Sequence, residues 1–315
     1  MVDIAVLRRG THGLPMDEYA AALRERLPDR EIALARTPGE ERDLVADAPV
    51  VTGSSIDEEL LSVADELELF ACAYAGYGHL PMDALRERGV AVTNAAGIHA
   101  PSIAEQVLGY LLTFARDLHE GWRRQQNREY RHYQARELGG STVTVVGMGA
   151  IGHAVVERLR GFDVDTIGVR YTPEKGGPTD EVIGFDEEAF HDALARTDYL
   201  VLATPLTDTT RGLVDEAAFH TLPPESVLVN VARGGVVETD ALVHALQKQS
   251  IRGAALDVTD PEPLPESHPL WNFENVLLTP HNAGHTPEHW PRLADIVATN
   301  VPRLGTDEDL ENRVD

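Results

Sequence analysis

Two α/β domains, each built on a doubly wound parallel sheet, are the fold class this sequence predicts, and three observations predict it. Short β-rich runs alternate with amphipathic helical runs over residues 1–97. A second alternating series begins near residue 142. A long helical pattern starting at Pro101 joins the two. Alternation of strand and helix implies crossover connections and therefore parallel pairing. The expected boundaries are 1–97 plus 288–315 for one domain and 98–287 for the other, with a cleft between them.

In the first series VDIAVL (2–7), EIALAR (31–36), APVVTG (48–53), LFACAYAG (69–76) and VAVTNAA (90–96) read as strands. MDEYAAALRERL (16–27), DEELLSVADEL (57–67) and MDALRERG (82–89) carry apolar residues at helical spacing. The segment PSIAEQVLGYLLTFARDLHEGWRRQQ (101–126) is predicted as one long helix. Proline near its start is well placed, because the first helical N–H has no intrahelical partner anyway. The second series contributes TVTVVGMG (142–149), VDTIGVR (164–170), TDYLVLAT (197–204), SVLVNVA (226–232), IRGAALDV (251–258) and NVLLTPH (275–281) as strands. The tail EHWPRLADIVATNVPRL (288–304) is helical and is expected to return to the first domain. TPEKGGPTD (172–180) and DPEPLPESHP (260–269) read as loops, and no repeat of fixed period is present.

Composition narrows the function classes. The chain carries 52 acidic against 27 basic residues, a net charge of −25, and among the bases only Lys175 and Lys248 are lysines. The acids are spread along the chain, so they form neither a tail nor a disordered arm. Such a field repels phosphate backbones and anionic lipid, which argues against nucleic-acid and membrane partners. No window approaches the ~18–20 apolar residues of a membrane span. MVDIAVLRRG reads as a first strand and not as a secretion signal. Cys72 is the only cysteine, which excludes an intramolecular disulfide and fits a reducing, cytoplasmic location.

VTVVGMGAIGHAVVERL holds Gly147, Gly149 and Gly152 in GxGxxG spacing, with Ala150 and Ile151 between them. The motif follows a β-branched run and opens a helical pattern, the context of a Rossmann-like dinucleotide site. Gly147 allows the tight turn, Gly149 the approach of a pyrophosphate, and Gly152 close strand–helix packing, while the helix N-terminus offers amide donors. At the end of the next strand, where an acid would accept from ribose hydroxyls, stands Arg170, followed by Tyr171 and Thr172. These are donors suited to a 2′-phosphate, so NADP is the expected cofactor and NAD the alternative.

Three late strands end in polar groups: Arg233, the stretch from Asp257 to Glu262, and His281. In an open parallel sheet, ligands bind outside the carboxyl ends of the strands. A cation, a carboxylate and an imidazole there suit hydride chemistry on a small 2-oxo or 2-hydroxy acid. Arg233 would clamp the carboxylate, His281 would exchange a proton with the carbonyl oxygen, and Glu262 would orient the imidazole. His281, His285 and His289 suggest a metal face at helical spacing, but Pro280, Gly284 and Pro287 break any helix there, so no metal is expected.

On AGYGHLPMDAL, NAAGIHAPSIAEQVLGYLL, VVGMGAIG, ATPLTDTTRGLVD, VNVARGGVVETDAL, AALDVTDPEPLPESHPLW and VLLTPHNAG, in that order, the sequence resembles the D-isomer-specific 2-hydroxyacid dehydrogenase family. Its acidity resembles the haloarchaeal branch. The resemblance implies a flavodoxin-like substrate domain and a dinucleotide domain. It puts the family's catalytic Arg, Glu and His on Arg233, Glu262 and His281. It puts the carboxylate-binding loop on Ala75, Gly76 and Tyr77, the nicotinamide-binding aspartate on Asp257, and further cofactor contacts on Thr204, Pro205, Val231 and Ala232. It implies a homodimer through the nucleotide domain, with the helix from Pro101 as the interface; the alternative is a core helix between the domains. Arg170 departs from the family's usual acid. Gly78-His79 stands where an Asp or Asn pair is frequent, which leaves the side-chain preference of the substrate pocket open.

The leading reading is an NADP-preferring D-2-hydroxyacid dehydrogenase, with a phosphoglycerate dehydrogenase-like enzyme or a dinucleotide-sensing corepressor as alternatives. The complete Arg–Glu–His set favours the enzyme over the corepressor. The chain ends about 30 residues after His281, without room for the regulatory domain of many phosphoglycerate dehydrogenases. A formate dehydrogenase is disfavoured, because relatives of that type place glutamine where Glu262 stands. From the charge alone, salt should govern stability. The melting temperature is expected to rise between low salt and molar KCl as self-repulsion is screened, and an unchanged value would sink the halophile reading.

Overall fold

The computed structural model describes residues 2–11 and 13–314 and divides the chain into two compact units, 1–99 with 285–315 and 100–284. The first unit begins β1 (Ile4–Val6), α1 (Met16–Arg26), β2 (Ile32–Leu34), α2 (Pro38–Asp47), β3 (Val50–Gly53), α3 (Glu58–Leu61), β4 (Leu69–Cys72), α4 (Met82–Glu87) and β5 (Ala91–Thr93). The second runs α5 (Ala100–Ala115), α6 (Leu118–Gln126), β6 (Thr142–Val146), α7 (Ala150–Leu159), β7 (Asp165–Val169), β8 (Glu181–Ile183), α8 (Glu187–Leu194), β9 (Tyr199–Leu202), α9 (Glu216–Thr221), β10 (Val227–Asn230), α10 (Thr239–Gln247), β11 (Gly253–Leu256) and β12 (Val276–Leu278). The chain then returns to the first unit as α11 (His289–Asn300).

Both sheets are parallel throughout. The first has the order β2-β1-β3-β4-β5 and the second β12-β11-β10-β9-β6-β7-β8. The fold class read from the alternating pattern is the one observed. The central strands are apolar and buried along their whole length, as at Val227–Asn230 and Tyr199–Leu202, because helices cover both faces of such a sheet. In the first unit α11 lies against α1, where Tyr19 stacks on Trp290 with ring centroids 4.7 Å apart. Thr52 donates its hydroxyl to the Ala71 carbonyl, so Tyr19 must be the donor to Thr52, 2.7 Å away.

Several elements differ from expectation. The predicted helix over 57–67 is a single turn, Glu58–Leu61. Helices α2, α8, α9 and α10 lie outside the helical runs read from the sequence, although before the first three Thr37, Asp186 and Asp215 each accept a hydrogen bond from the third residue beyond, as good N-caps do. The largest correction concerns 101–126, which is two helices. Asp117 takes the left-handed conformation, φ 48°, and ends the run. Arg252, from the turn before β11, donates to the Phe114 carbonyl at 2.7 Å and to Asp117 Oδ1 at 2.9 Å. That guanidinium satisfies a carbonyl the continuing helix would otherwise have bonded. α5 itself buries Ile103, Val107, Leu111 and Phe114 and packs on α7. No helix among the described residues is long and apolar enough to cross a membrane.

Replacing Arg252 with alanine is expected to leave the partly buried Phe114 carbonyl with only the longer 3.3 Å bond from Asp117 N and to leave Asp117 Oδ1 without its guanidinium partner. A lost buried partner of this kind destabilises by about 1–3 kcal/mol, which a lower urea midpoint at unchanged m-value will register.

Candidate active site

The second unit carries two pockets on its carboxyl-end edge. The first, about 480 Å³, lies where the order of the strands reverses, between β6 and β9. Gly147 follows β6 at φ +101°, and a Cβ on it would fall 2.5 Å from the Ala203 carbonyl oxygen. A Cβ on Gly152 would fall 2.0 Å from the Gly147 oxygen, so α7 can approach β6 this closely only with glycine there. Gly149 caps α7 with no protein atom within 4 Å of where its Cβ would be, which leaves the helix N-terminus accessible to an anion. Ala150 and Ile151 form the first turn of α7, with Ile151 half-buried.

Arg170, Tyr171 and Thr172 line this same pocket, together with Thr204 and Pro205. Arg170 uses one guanidinium N–H on the Gly176 carbonyl, at 2.5 Å, and keeps four others. Tyr171 is 81% exposed. Lys175, one of the two lysines of the chain, also lines the pocket, on a 3₁₀ turn at Pro173–Lys175. The sequence reading missed it. Its signal was available in the rarity of lysine elsewhere. These glycines, the free helix end and the two cations fit a nicotinamide dinucleotide, with cationic donors available for a ribose phosphate.

The second pocket, about 510 Å³, opens at the ends of β11 and β12 and is lined by Asp257, Glu262 and His281 among apolar neighbours such as Leu264 and Trp271. His281 Nδ1 and Glu262 Oε1 are 2.7 Å apart. A carboxylate can only accept, so Nδ1 carries the hydrogen and Nε2 is left as the nitrogen that can exchange a proton. His281 has φ +52°, a left-handed conformation that non-glycine residues adopt only when held. Both carboxylate oxygens of Asp257 face the chain around it: Asn282 N donates to Oδ1 at 2.8 Å, Ala283 N to Oδ2 at 3.0 Å, and Thr279 donates to Oδ1 as well. Asp257 is 3% exposed and lines this pocket, and in this structure its carboxylate also grips the His281 loop.

Arg233 does not line either pocket. It follows β10, where the Asn230 side chain accepts from Ala232 N at 3.0 Å and donates to the Arg233 carbonyl at 3.1 Å. Arg233 Nη1 donates to the Ala232 carbonyl at 2.6 Å. Val231 and Ala232 are buried beside it in the chain and line neither pocket. The loop nonetheless meets the next one: a Cβ on Gly234 would fall 2.1 Å from the Thr259 carbonyl, so the backbones after β10 and β11 touch. In the first unit Ala75, Gly76 and Tyr77 form the loop after β4, held by Asn94, whose side chain donates to the Ala75 carbonyl at 2.6 Å. Among the described residues, no three His, Cys, Asp or Glu side chains are grouped to hold a metal ion.

Comparison with known proteins is consistent across sequence and structure. A family profile described as the NAD binding domain of D-isomer specific 2-hydroxyacid dehydrogenases matches residues 108–283. The chain is 30% identical over 306 residues to the D-3-phosphoglycerate dehydrogenase of Methanocaldococcus jannaschii, covering 95% of this chain and 58% of that protein. It thus spans less than two thirds of that relative. It is 35% identical over 255 residues to the glyoxylate reductase of Thermofilum pendens, covering 78% of this chain and 74% of the relative. A crystal structure of a D-isomer specific 2-hydroxyacid dehydrogenase from Xanthobacter autotrophicus Py2, in complex with NADPH and MES, aligns at TM-score 0.79 and 28% identity over 100% of this chain and 98% of that one.

Gly152→Ala tests the first pocket directly. Its Cβ would press on backbone that cannot yield as a flexible side chain could. The expected result is a dinucleotide Kd raised by about tenfold or more, read by quenching of protein fluorescence; a tenfold change corresponds to ~1.4 kcal/mol. Unchanged binding would show that the helix N-terminus plays no part in holding the ligand.

Proposed function

This chain belongs to the D-isomer specific 2-hydroxyacid dehydrogenase family, whose members act on CH–OH groups with NAD(P), and on that footing we propose that it reduces a small 2-oxo acid to the D-2-hydroxy acid, and the reverse, with a preference for NADP. The observation that carries the reading is the His281–Glu262 pair at 2.7 Å on the same sheet edge as the glycine loop. The dinucleotide, when bound, supplies or accepts the hydride. His281 Nε2 gives the proton to the carbonyl oxygen in reduction and takes it from the hydroxyl in oxidation. Glu262 keeps the ring turned so that Nε2 faces outward and offers a negative charge to the imidazolium. Arg233 holds the carboxylate of the substrate with two parallel N–H donors, and the backbone of Ala75, Gly76 and Tyr77 offers further donors to it. Asp257 holds His281 in place.

The cofactor preference rests on Arg170 and Lys175 in the dinucleotide pocket, with Tyr171 and Thr172 as additional donors. The NADPH complex of the Xanthobacter relative is consistent with it. The names of the relatives point to glyoxylate and to the hydroxyacid of a phosphoglycerate dehydrogenase as chemistries to test. A second copy of the chain is the proposed partner, because Leu118 and Trp122 of α6 and Tyr130 beyond it are exposed at 52%, 66% and 106% on one short segment after α5. We place the protein in a salt-rich cytoplasm. The surface ion pairs use arginine, as at Arg26–Asp295 and Arg196–Glu181, and the acids outnumber all the bases by 25.

His281→Ala is expected to lower kcat by ~10²-fold or more, and near-full activity would end the assignment. Arg233→Ala should raise the KM for the 2-oxo acid while NADPH binding stays close to wild type. A panel of 2-oxo acids assayed with NADPH and NADH across a salt series identifies the substrate. The charge-assisted contact to a 2′-phosphate is worth ~1.5–3 kcal/mol, so kcat/KM with NADPH should exceed that with NADH by about tenfold or more. Arg170→Asp should reverse the preference. Equal use of both cofactors at every salt concentration would mean that Arg170 is a surface arginine and nothing more.

A further inference from the structure

We propose that Tyr110 and Thr279 are positioning residues for His281, acting through Asp257. The proposal rests on the reading of His281 as the proton-exchanging group. Three successive residues are gripped by one aspartate: His281 N–H donates to the Asp257 carbonyl at 2.8 Å, Asn282 N–H to Oδ1 at 2.8 Å and Ala283 N–H to Oδ2 at 3.0 Å. The grip is what keeps His281 at its left-handed φ of +52°. It works only while the carboxylate plane stays fixed, since a rotation about the Cβ–Cγ bond would turn both oxygens away from the two amides.

The carboxylate plane is fixed from a distance. Thr279 Oγ1 is hydrogen-bonded to Asp257 Oδ1, and Tyr110 Oη lies 2.5 Å from Thr279 Oγ1. Hydrogen counting orients the chain. Asp257 already accepts from two amides, so Thr279 must donate its single hydrogen to it, and Tyr110 must then donate to Thr279. Burial pushes the Tyr110 phenol above its usual range, which keeps it a protonated donor, and Gln106 one turn earlier on α5 also bonds its hydroxyl. Tyr110 is 5% exposed and sits within the core cluster formed by α5, α7 and the sheet. The order is therefore rigid helix, phenol, threonine hydroxyl, carboxylate, loop and imidazole. Neither Tyr110 nor Thr279 needs to touch the reacting atoms for this. A small misplacement of a proton donor lowers turnover while leaving ground-state binding in place.

The test uses Tyr110→Phe, Thr279→Val, Thr279→Ser and the Tyr110→Phe/Thr279→Val double variant of the full chain. Three readouts are needed: steady-state reduction of glyoxylate with NADPH in high salt, fluorescence titration of NADPH, and amide exchange of Thr279 and residues 281–284. Tyr110→Phe and Thr279→Val should each lower kcat about fivefold, the scale of one lost buried hydrogen bond, with glyoxylate KM and NADPH Kd within about twofold of wild type. Thr279→Ser, which keeps the hydroxyl, should recover most of the loss. The double variant should be no slower than Thr279→Val, because both act through one chain of bonds. The amides of Asn282 and Ala283 should exchange faster in Tyr110→Phe and in Thr279→Val.

Wild-type exchange at those two amides would overturn the relay whether or not glyoxylate is turned over. So would losses that multiply in the double variant, a loss that appears equally in KM or Kd, or no rescue by serine. Failure of the site reading is distinguishable, since it would show as activity surviving in His281→Ala.

Discussion

Parallel pairing leaves a sheet with all its carboxyl ends on one edge, and the second unit is organised by that constraint. The seven strands of β12-β11-β10-β9-β6-β7-β8 all run the same way, so the turns after β6, β7, β9, β10, β11 and β12 emerge together. Backbone amides, a helix N-terminus and polar side chains are concentrated there because the opposite edge holds only the return ends of the helices. Reversal of strand order between β6 and β9 parts the adjoining crossover connections, and the glycine loop lies at that parting.

Along this edge the side chains with chemistry are set by backbone contacts. Gly152 against the Gly147 carbonyl fixes α7 on β6, and Gly234 against Thr259 fixes the Arg233 turn beside the strand that leads to Glu262. In both places a methyl group would separate two backbones that now touch. The His281 turn is held differently, by a carboxylate that substitutes for the missing regular hydrogen bonds of a left-handed residue. Buried carboxylates of this kind are stable only when their oxygens are bonded, and Asp257 meets that condition with two amides and a hydroxyl.

The surface follows a second logic. Single exposed ion pairs contribute little each, and the chain has too few bases to pair its acids. Arginine nonetheless appears where a planar, multidentate cation is useful. It closes the end of α5 through Arg252, and it stands in the pocket of the glycine loop as Arg170 with one N–H already committed to the Gly176 carbonyl. Lysine, nearly absent from the chain, is present in that same pocket.

Local pattern determined much of this protein. The alternation of strand and helix specified two parallel sheets, since period and turn residues are properties of neighbouring positions. The glycine spacing and the polar ends of three strands specified where chemistry was to be sought. What required the tertiary structure was every feature made by residues far apart in the chain. The helix predicted over 101–126 breaks at Asp117, where Arg252, more than a hundred residues away, bonds both the Phe114 carbonyl and the Asp117 side chain. Lys175 joins Arg170 because a 3₁₀ turn folds back on the pocket. Asp257 turns toward Thr279, Asn282 and Ala283, and Tyr110 reaches Thr279 across 169 positions, a contact that no periodicity encodes because it depends on how α5 packs on the sheet. Sequence neighbours dictate conformation through sterics and hydrogen bonding within a few residues, whereas the orientation of a catalytic side chain is the sum of packing contacts that exist only once the core has closed.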